Sequence, residues 1–423
     1  MSLPRYEKYK DSGVEWIGEI PEGWEVKRLK FVVSKVGSGV TPKGGANVYQ
    51  LDGIPLLRSQ NIHFDALKLD DVAYISQEIH DEMQNSKVMA GDVLLNITGA
   101  SIGRCYFSDV SLEDANVNQH VCIIRPTSEI GTKYLYYLLR SDIGQKQIDV
   151  DQTGSGREGL NFELLKNFLL PLADNSEQTA IASFLDRKTA EIDQLIANKE
   201  KLIALYEEEK AAIINRAVTK GLDLKLKTKP SGVDWLGDIP EHWEVKRLKY
   251  VASMKSGEGI TSDKIKESGD YPVYGGNGLR GYFDSFTHEG VYVLIGRQGA
   301  LCGNINYASG KFWASEHAIV CTMIGNYEVK WFGGLLKAMN LNQYSVSAAQ
   351  PGLSVENIKI LQIPVPPQSE QTAIVAHIEA ECSRLDAIID KFKRQIELFK
   401  EYRATLISEV VTGKIDVRDE VAA

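Results

Sequence analysis

SEQTAIASFLDRKTAEIDQLIANKEKLIALYEEEKAAIINRAVTKGL, residues 176–222, returns as SEQTAIVAHIEAECSRLDAIIDKFKRQIELFKEYRATLISEVVTGKI, residues 369–415, at an offset of 193. Within the first copy one apolar seam reads Leu185, Ile192, Ile196, Ile203, Tyr206, Ile213 and Ala217. Within the second the seam reads Ile378, Leu385, Ile389, Phe392, Ile396, Phe399, Leu406 and Val410. Steps of three, four and seven sustained for about four to five heptads predict a helix with one coiled-coil-like stripe. Such a helix of some forty-odd residues spans roughly 65 Å at 1.5 Å per residue. Neither stripe can stay in water, so the two helices are expected to pack on each other. Ser176 and Ser369 read as N-caps, each followed by a Glu that suits the positive end of the helix dipole. Gly221 and Gly413 read as stops. Lys199, Lys210 and Arg403 interrupt the seam, and two readings stay open: they snorkel outward or they fix register.

Outside the helices a second repeat precedes each of them. SGVEWIGEIPEGWEVKRLKFV (residues 12–32) recurs as SGVDWLGDIPEHWEVKRLKYV (residues 231–251), with sixteen of twenty-one positions identical. Its offset is 219 against 193 for the helices, so the second head is 26 residues shorter between its anchors. The chain therefore reads head, helix, head, helix, with boundaries placed at residues 1–172, 173–222, 223–366 and 367–423. In the heads, short runs such as GDVLLNITGASIGRCYF, HVCIIRP, GVYVLIGRQGALCGNINY and HAIVCTMI are strands punctuated by Gly, Asn and Asp turns. TKYLYYLLRSDIGQKQI and NFELLKNFLL are helical patches. Each head is thus expected to be an α+β domain on a compact sheet. TGASIG (98–103) aligns with QGALCG (298–303), NQHVCII (118–124) with SEHAIVC (315–321), and GLNFELLK (159–166) with GLSVENIK (352–359). Between these shared blocks and the anchors the heads diverge, with GIPLLRSQNIHFD in one and DYPVYGGNGLRGYFD in the other. One scaffold carrying two sets of loops suits two readers that dock alike and recognise different things.

Composition excludes several classes. At 423 residues the chain exceeds one ordinary core, and its 43% hydrophobic and 25% charged content is that of a globular protein. No run of eighteen apolar residues or apolar leader occurs, so neither a membrane span nor a signal peptide is expected, and the chain is placed in the cytoplasm. Five cysteines (Cys105, Cys122, Cys302, Cys321, Cys382) at no metal-binding or paired spacing read as buried thiols. A net charge of −9 argues against a uniformly basic protein but leaves room for a local nucleic-acid surface.

Motifs for chemistry are weak. GSGREG (154–159) matches a dinucleotide fingerprint but follows QIDVDQT, a poor buried strand, and the second head has SAAQPG there. A polar loop capping a helix, or one carrying Arg157 to a phosphate backbone, fits better. YEEEK (206–210) lies mid-helix and reads as a solvated face rather than a nuclease metal site. Neither a phosphate-binding P-loop nor an adenine-methyltransferase tetrapeptide occurs, and no metal site is expected. Base reading instead needs forked donors at loop tips. Arg58, Ser59, Gln60 and Asn61 supply them in the first head, with Thr98, Ser101, Arg104 and Arg157, in or beside the shared blocks, as further candidates. Asn277, Arg280, Tyr282, Arg297, Gln298 and Gln350 are the second head's candidates. His120 and His317 occupy equivalent positions; with no second ligand or paired carboxylate at spacing, a structural hydrogen bond is favoured over a DNA contact or catalysis.

The doubled SGVEWIGEIPEGWEVKRLK, the doubled SEQTAI opening a heptad helix and the terminal VTGKIDVR resemble the DNA specificity subunit of type I restriction-modification enzymes. The resemblance covers essentially the whole chain. It implies two α+β target recognition domains, each reading one half of a split site in double-stranded DNA. It implies two long helices packed as an antiparallel coiled coil with pseudo-two-fold symmetry, which act as a ruler. It implies no active site in this chain and no cofactor bound by it. Two modification subunits carrying S-adenosylmethionine are expected as partners, with two restriction subunits that use ATP and Mg. A self-contained methyltransferase-nuclease would need a cofactor loop and catalytic tetrapeptide that the sequence lacks. A tandem protein-interaction scaffold is the other alternative, separable by a footprint on duplex DNA.

Overall fold

Continuous apolar runs such as VLLN and AIVC have no polar face to turn to water, so they become strands buried on both sides. The structure, a computed structural model, describes residues 3–155, 159–299, 301–345 and 352–421, with the backbone alone at 150–155 and 421. They form two compact units, Met1–Asn198 with Arg394–Ala423, and Lys199–Lys393. The first unit holds an antiparallel sheet in the order Val33–Ser38, Val121–Pro126, Val93–Asn96, Cys105–Phe107. In the second unit the order Ala252–Ser256, Ala318–Met323, His288–Gly296, Ile305–Ala314 repeats it strand for strand. Helix Thr132–Arg140 covers the first sheet with Tyr134, Leu135 and Leu138, and helix Val329–Ala338 covers the second with Trp331, Phe332 and Leu335. Cys105, Cys122, Cys302 and Cys321 are buried free thiols and Cys382 is half-buried. Burial pushes Cys105 and Cys122 up to about 12, which keeps both protonated and inert.

The heads differ where their sequences diverge. In the first unit strand Ile54–Leu57 pairs antiparallel with Ala73–Ile75 and parallel with Asn116–Val117, making a separate three-stranded sheet. In the second unit hairpin Tyr271–Gly275 and Gly278–Phe283 instead joins the main sheet, pairing parallel with Ile305–Ala314. The scaffold is common to both; the inserts are not.

The two repeats of the sequence meet in space. Trp24 of the first anchor is buried and donates from Nε1 to Glu177 Oε2 at 3.1 Å; Trp243 of the second donates to Glu370 Oε2 at 2.9 Å. The glutamates belong to the two SEQTAI openings. The next residue is equally fixed: Gln178 accepts from Gly131 N at 2.8 Å, and Gln371 from Glu328 N at 3.0 Å. Each anchor also touches the end of the other long helix. A Cβ on Gly413 would lie 2.4 Å from Pro21 Cδ and 3.3 Å from Trp24 Cη2, and one on Gly221 3.1 Å from Trp243 Cζ2. Both glycines have positive φ, +70° and +77°, as helix stops require. The first helix, Asn175–Lys220, thus begins where the second ends, and the second, Gln368–Val411, begins where the first ends. That is antiparallel pairing, read independently within each unit.

The helix caps differ from expectation. Ser176 and Ser369 lie inside the first turns, since the helices start at Asn175 and Gln368. Asp174 takes the capping role in the first helix, accepting from Glu177 N at 2.9 Å and from Ser176 Oγ at 2.6 Å. A carboxylate two residues earlier does the same work with a full negative charge.

Two of the three charged interruptions of the seam pair with an acid on the facing helix. In the first unit Arg403 pairs with Asp193, and in the second Lys210 Nζ lies 2.5 Å from Asp386 Oδ1. Under the 193-residue offset these are the same pair taken in opposite order. Lys199 Nζ sits 4.4 Å from the Phe392 ring centroid, with Tyr206 at 5.9 Å from it. Leu185, Ile192, Ile196, Leu385, Ile389, Ile396 and Leu406 are buried, whereas Ile203, Tyr206, Ile213, Ile378, Phe392 and Phe399 are half-buried. Arg403 also lies 3.3 Å from Asp65 of the first head. A double-mutant cycle by chemical unfolding should therefore give a coupling on the order of 1–2 kcal/mol for Arg403–Asp193. For the more exposed Lys210–Asp386 pair it should give about 0.5 kcal/mol. Equal, negligible couplings would mean the interruptions do not set register.

Candidate nucleic-acid interface

RSQN follows strand Ile54–Leu57 and folds into a single tight turn, Ser59–Asn61. Asn61 is buried: its Oδ1 accepts from Arg58 N at 2.9 Å and its Nδ2 donates to Lys68 O at 2.8 Å. The Ser59 carbonyl accepts from Asn96 Nδ2 at 2.8 Å, and Ser101 Oγ accepts from the same amide at 3.1 Å. Asn61 and Ser59 therefore shape the turn, while Arg58 and Gln60 project from it. Arg58 Nη2 donates to Asp71 O at 2.9 Å, with its guanidinium 5.6 Å from the Tyr49 ring centroid. Gln60 is exposed and donates to Asp71 Oδ2 at 2.5 Å. Arg104 is half-buried, and its guanidinium has no hydrogen-bond or ion-pair partner among the described residues.

The equivalence of the two histidines holds in detail. Ile97 N donates to His120 O at 3.0 Å and Arg297 N to His317 O at 2.9 Å. Leu160 N donates to Ile97 O and Leu353 N to Arg297 O, bridging Thr98 to Gly159 and Gln298 to Gly352. At each junction the histidine Nδ1 meets the preceding block's side chain: Thr98 Oγ1 at 2.6 Å from His120, and Gln298 Oε1 at 3.2 Å from His317. In the first unit Gln119 Nε2 lies 2.8 Å from His120 Nε2 and donates to it, so Nδ1 carries the proton given to Thr98. In the second, His317 Nε2 is 3.2 Å from Glu316 Oε1. Arg157 and Gln350 lie outside the described residues. Gly154 and Ser155 close a helix, Asp142–Ser155, rather than following a strand, which removes the context a dinucleotide fingerprint needs.

In the second unit Asn277 is at the tip of the hairpin, accepting from Asn304 Nδ2 at 3.2 Å. Arg280 is exposed with no hydrogen-bond or ion-pair partner among the described residues, its stem lying over Gly275, where a Cβ would be 2.5 Å from Arg280 Cδ. Tyr282 is half-buried on the same strand, its backbone paired with Lys266. Arg297 Nη1 donates to Ser256 Oγ at 3.1 Å, and Gln298 is exposed. The donors that do not shape a turn are thus Gln60, Arg58 and Arg104 in one unit and Asn277, Arg280 and Gln298 in the other. They suit base edges and phosphates. Among the described residues no group of three or more His, Cys, Asp or Glu could hold a metal ion, and no helix is long and apolar enough to cross a membrane.

Two scaffolds of one design, carrying unlike donor-bearing inserts and sharing a pair of long helices, define a two-headed DNA reader. Residues 21–204 and 240–398 match the family described as the type I restriction modification DNA specificity domain, and the chain belongs to that family. It is 42% identical over 138 residues to the EcoprrI specificity subunit of Escherichia coli, a match covering 32% of this chain and 34% of that one. To the MjaVIII specificity subunit of Methanocaldococcus jannaschii it is 22% identical over 433 residues, covering 95% of each. A solved chain from a study of complex assembly in the type I R-M system shares the fold at a TM-score of 0.64 and 16% identity, covering 94% of this chain and 99% of that one. The HsdS subunit from Thermoanaerobacter tengcongensis does so at 0.51 and 16% identity, covering 94% and 98%.

Proposed function

We propose that each unit reads one half of a bipartite, asymmetric site in double-stranded DNA and that the long helices set the length of the spacer between halves. The observation that carries this is the duplicated scaffold with unlike inserts: four strands in the same order twice, a three-stranded sheet added in one unit and a hairpin in the other. The chain contributes recognition and no catalysis. S-adenosylmethionine, ATP and Mg belong to partner subunits, two for modification and two for restriction. Docking of two like partners is supported by the repeated anchors, which leave the same ring exposed in each unit: Phe31 at 65% and Tyr250 at 59%. Selection from a pool of randomised duplexes by this chain with its modification subunits tests the reading. The expected result is one motif in two unlike parts separated by a fixed run of unselected bases. Alone, the acidic chain should bind that motif weakly and lose it steeply with salt. A continuous motif would contradict the proposal.

A further inference from the structure

In the first unit two donor side chains of the divergent loop converge on one carboxylate. Gln60 donates to Asp71 Oδ2 at 2.5 Å, while Arg58 bonds the Asp71 carbonyl at 2.9 Å and lies 3.8 Å from the same Oδ2. The backbone carrying them is fixed without that carboxylate: Asn61 ties it to Lys68 and Asn96 ties it to the main sheet. The turn therefore keeps its shape whether or not the Asp71 carboxylate is engaged. That side chain is 86% exposed against 22% for Arg58, so its hold is solvent-screened and open to competition. Arg58 Nε is buried with no hydrogen-bond partner among the described residues, so the guanidinium is incompletely satisfied where it rests. A carboxylate offers two acceptor oxygens, the chemistry that a guanine edge or a phosphate also presents to Arg and Gln.

We propose that Asp71 is a specificity-determining residue: an internal acceptor that holds Arg58 and Gln60 until matching acceptors on DNA replace it. This rests on the reading that the first unit binds a half-site. On the correct sequence the exchange is favourable, but its net gain is reduced by what Asp71 gives up; on a wrong one the donors stay on Asp71 and no contact is made, so the carboxylate tempers both affinity and discrimination at this half-site. The neighbouring Asp70 is exposed and has no hydrogen-bond or ion-pair partner among the described residues, so it serves as the charge control.

The test measures equilibrium binding of the full chain with its modification subunits to the duplex that the parent selects. Asp71→Asn should raise affinity about tenfold, whereas Asp70→Asn should raise it no more than about twofold. The excess should vanish in an Arg58→Ala, Gln60→Ala background and on duplexes altered in the first half-site, while penalties for altering the second half-site stay unchanged. An Asp71→Asn effect no larger than that of Asp70→Asn, a loss of affinity, or an excess that survives removal of Arg58 and Gln60 would each overturn the proposal and leave the two-headed reading intact. A parent that selects no duplex fails the reading itself, and this inference with it, before any variant is made.

Discussion

Trp24→Ala is expected to destabilise the first unit by about 3–5 kcal/mol, a large fraction of the stability of an ordinary domain. The indole is buried, it meets the Tyr6 ring edge-on at 6.0 Å, and the Gly413 backbone closes over it. Its loss opens a cavity at the junction of the first anchor, the start of one long helix and the end of the other. It also removes one of two donors from Glu177, whose Oε1 accepts from Tyr6 OH at 2.5 Å. A carboxylate buried to that degree is costly to leave half-satisfied. Trp24→Phe keeps an aromatic ring but loses the N–H and part of the bicycle, so it should cost about 1–2 kcal/mol less than alanine does. Chemical unfolding followed by circular dichroism measures both. If alanine costs under about 1 kcal/mol, the indole is not the keystone that joins head to helices.

The architecture was legible because it rests on repetition and period. Seam residues such as Ile192 and Leu385 announce a helix whatever surrounds them, and two copies of SEQTAI announce two. That Trp24 binds Glu177 could not be read, although both lie in repeated blocks, because a repeat says that residues recur and not that they touch. The role of Arg403 was undecided for the same reason: a cation in a seam snorkels or pairs according to what faces it, and Asp193 is 210 residues away in the chain. Ser176 has a capping residue type, but Asp174, two residues before it, holds the capping position and carries the full charge.

At the reading surface, residue type identified donors but not what they already hold. Asn61 has the side chain of an adenine reader, and the fold uses both ends of its amide internally. Asp71 carries no donor for a base edge, so its residue type does not mark it as part of a reading surface. The sequence does carry one signal for the Gln298–His317 pair, its alignment with Thr98 and His120, and the geometry agrees.

Lengthening both long helices should move the two half-sites apart without altering either. Seven residues added after Asn198 and seven after Lys393 preserve the heptad phase and leave the Arg403–Asp193 and Lys210–Asp386 pairs in register within their units. The added helix is about 10 Å long at 1.5 Å per residue, which corresponds to about three base pairs of duplex. The reading loops, including Gln60 and Arg280, are untouched. Sequencing the methylated bases in a host that carries the lengthened chain and its modification subunits reads both halves and the gap together. The account predicts the parental half-sites with a spacer about three base pairs longer; new half-site bases, or modification persisting at the parental spacing, would contradict it.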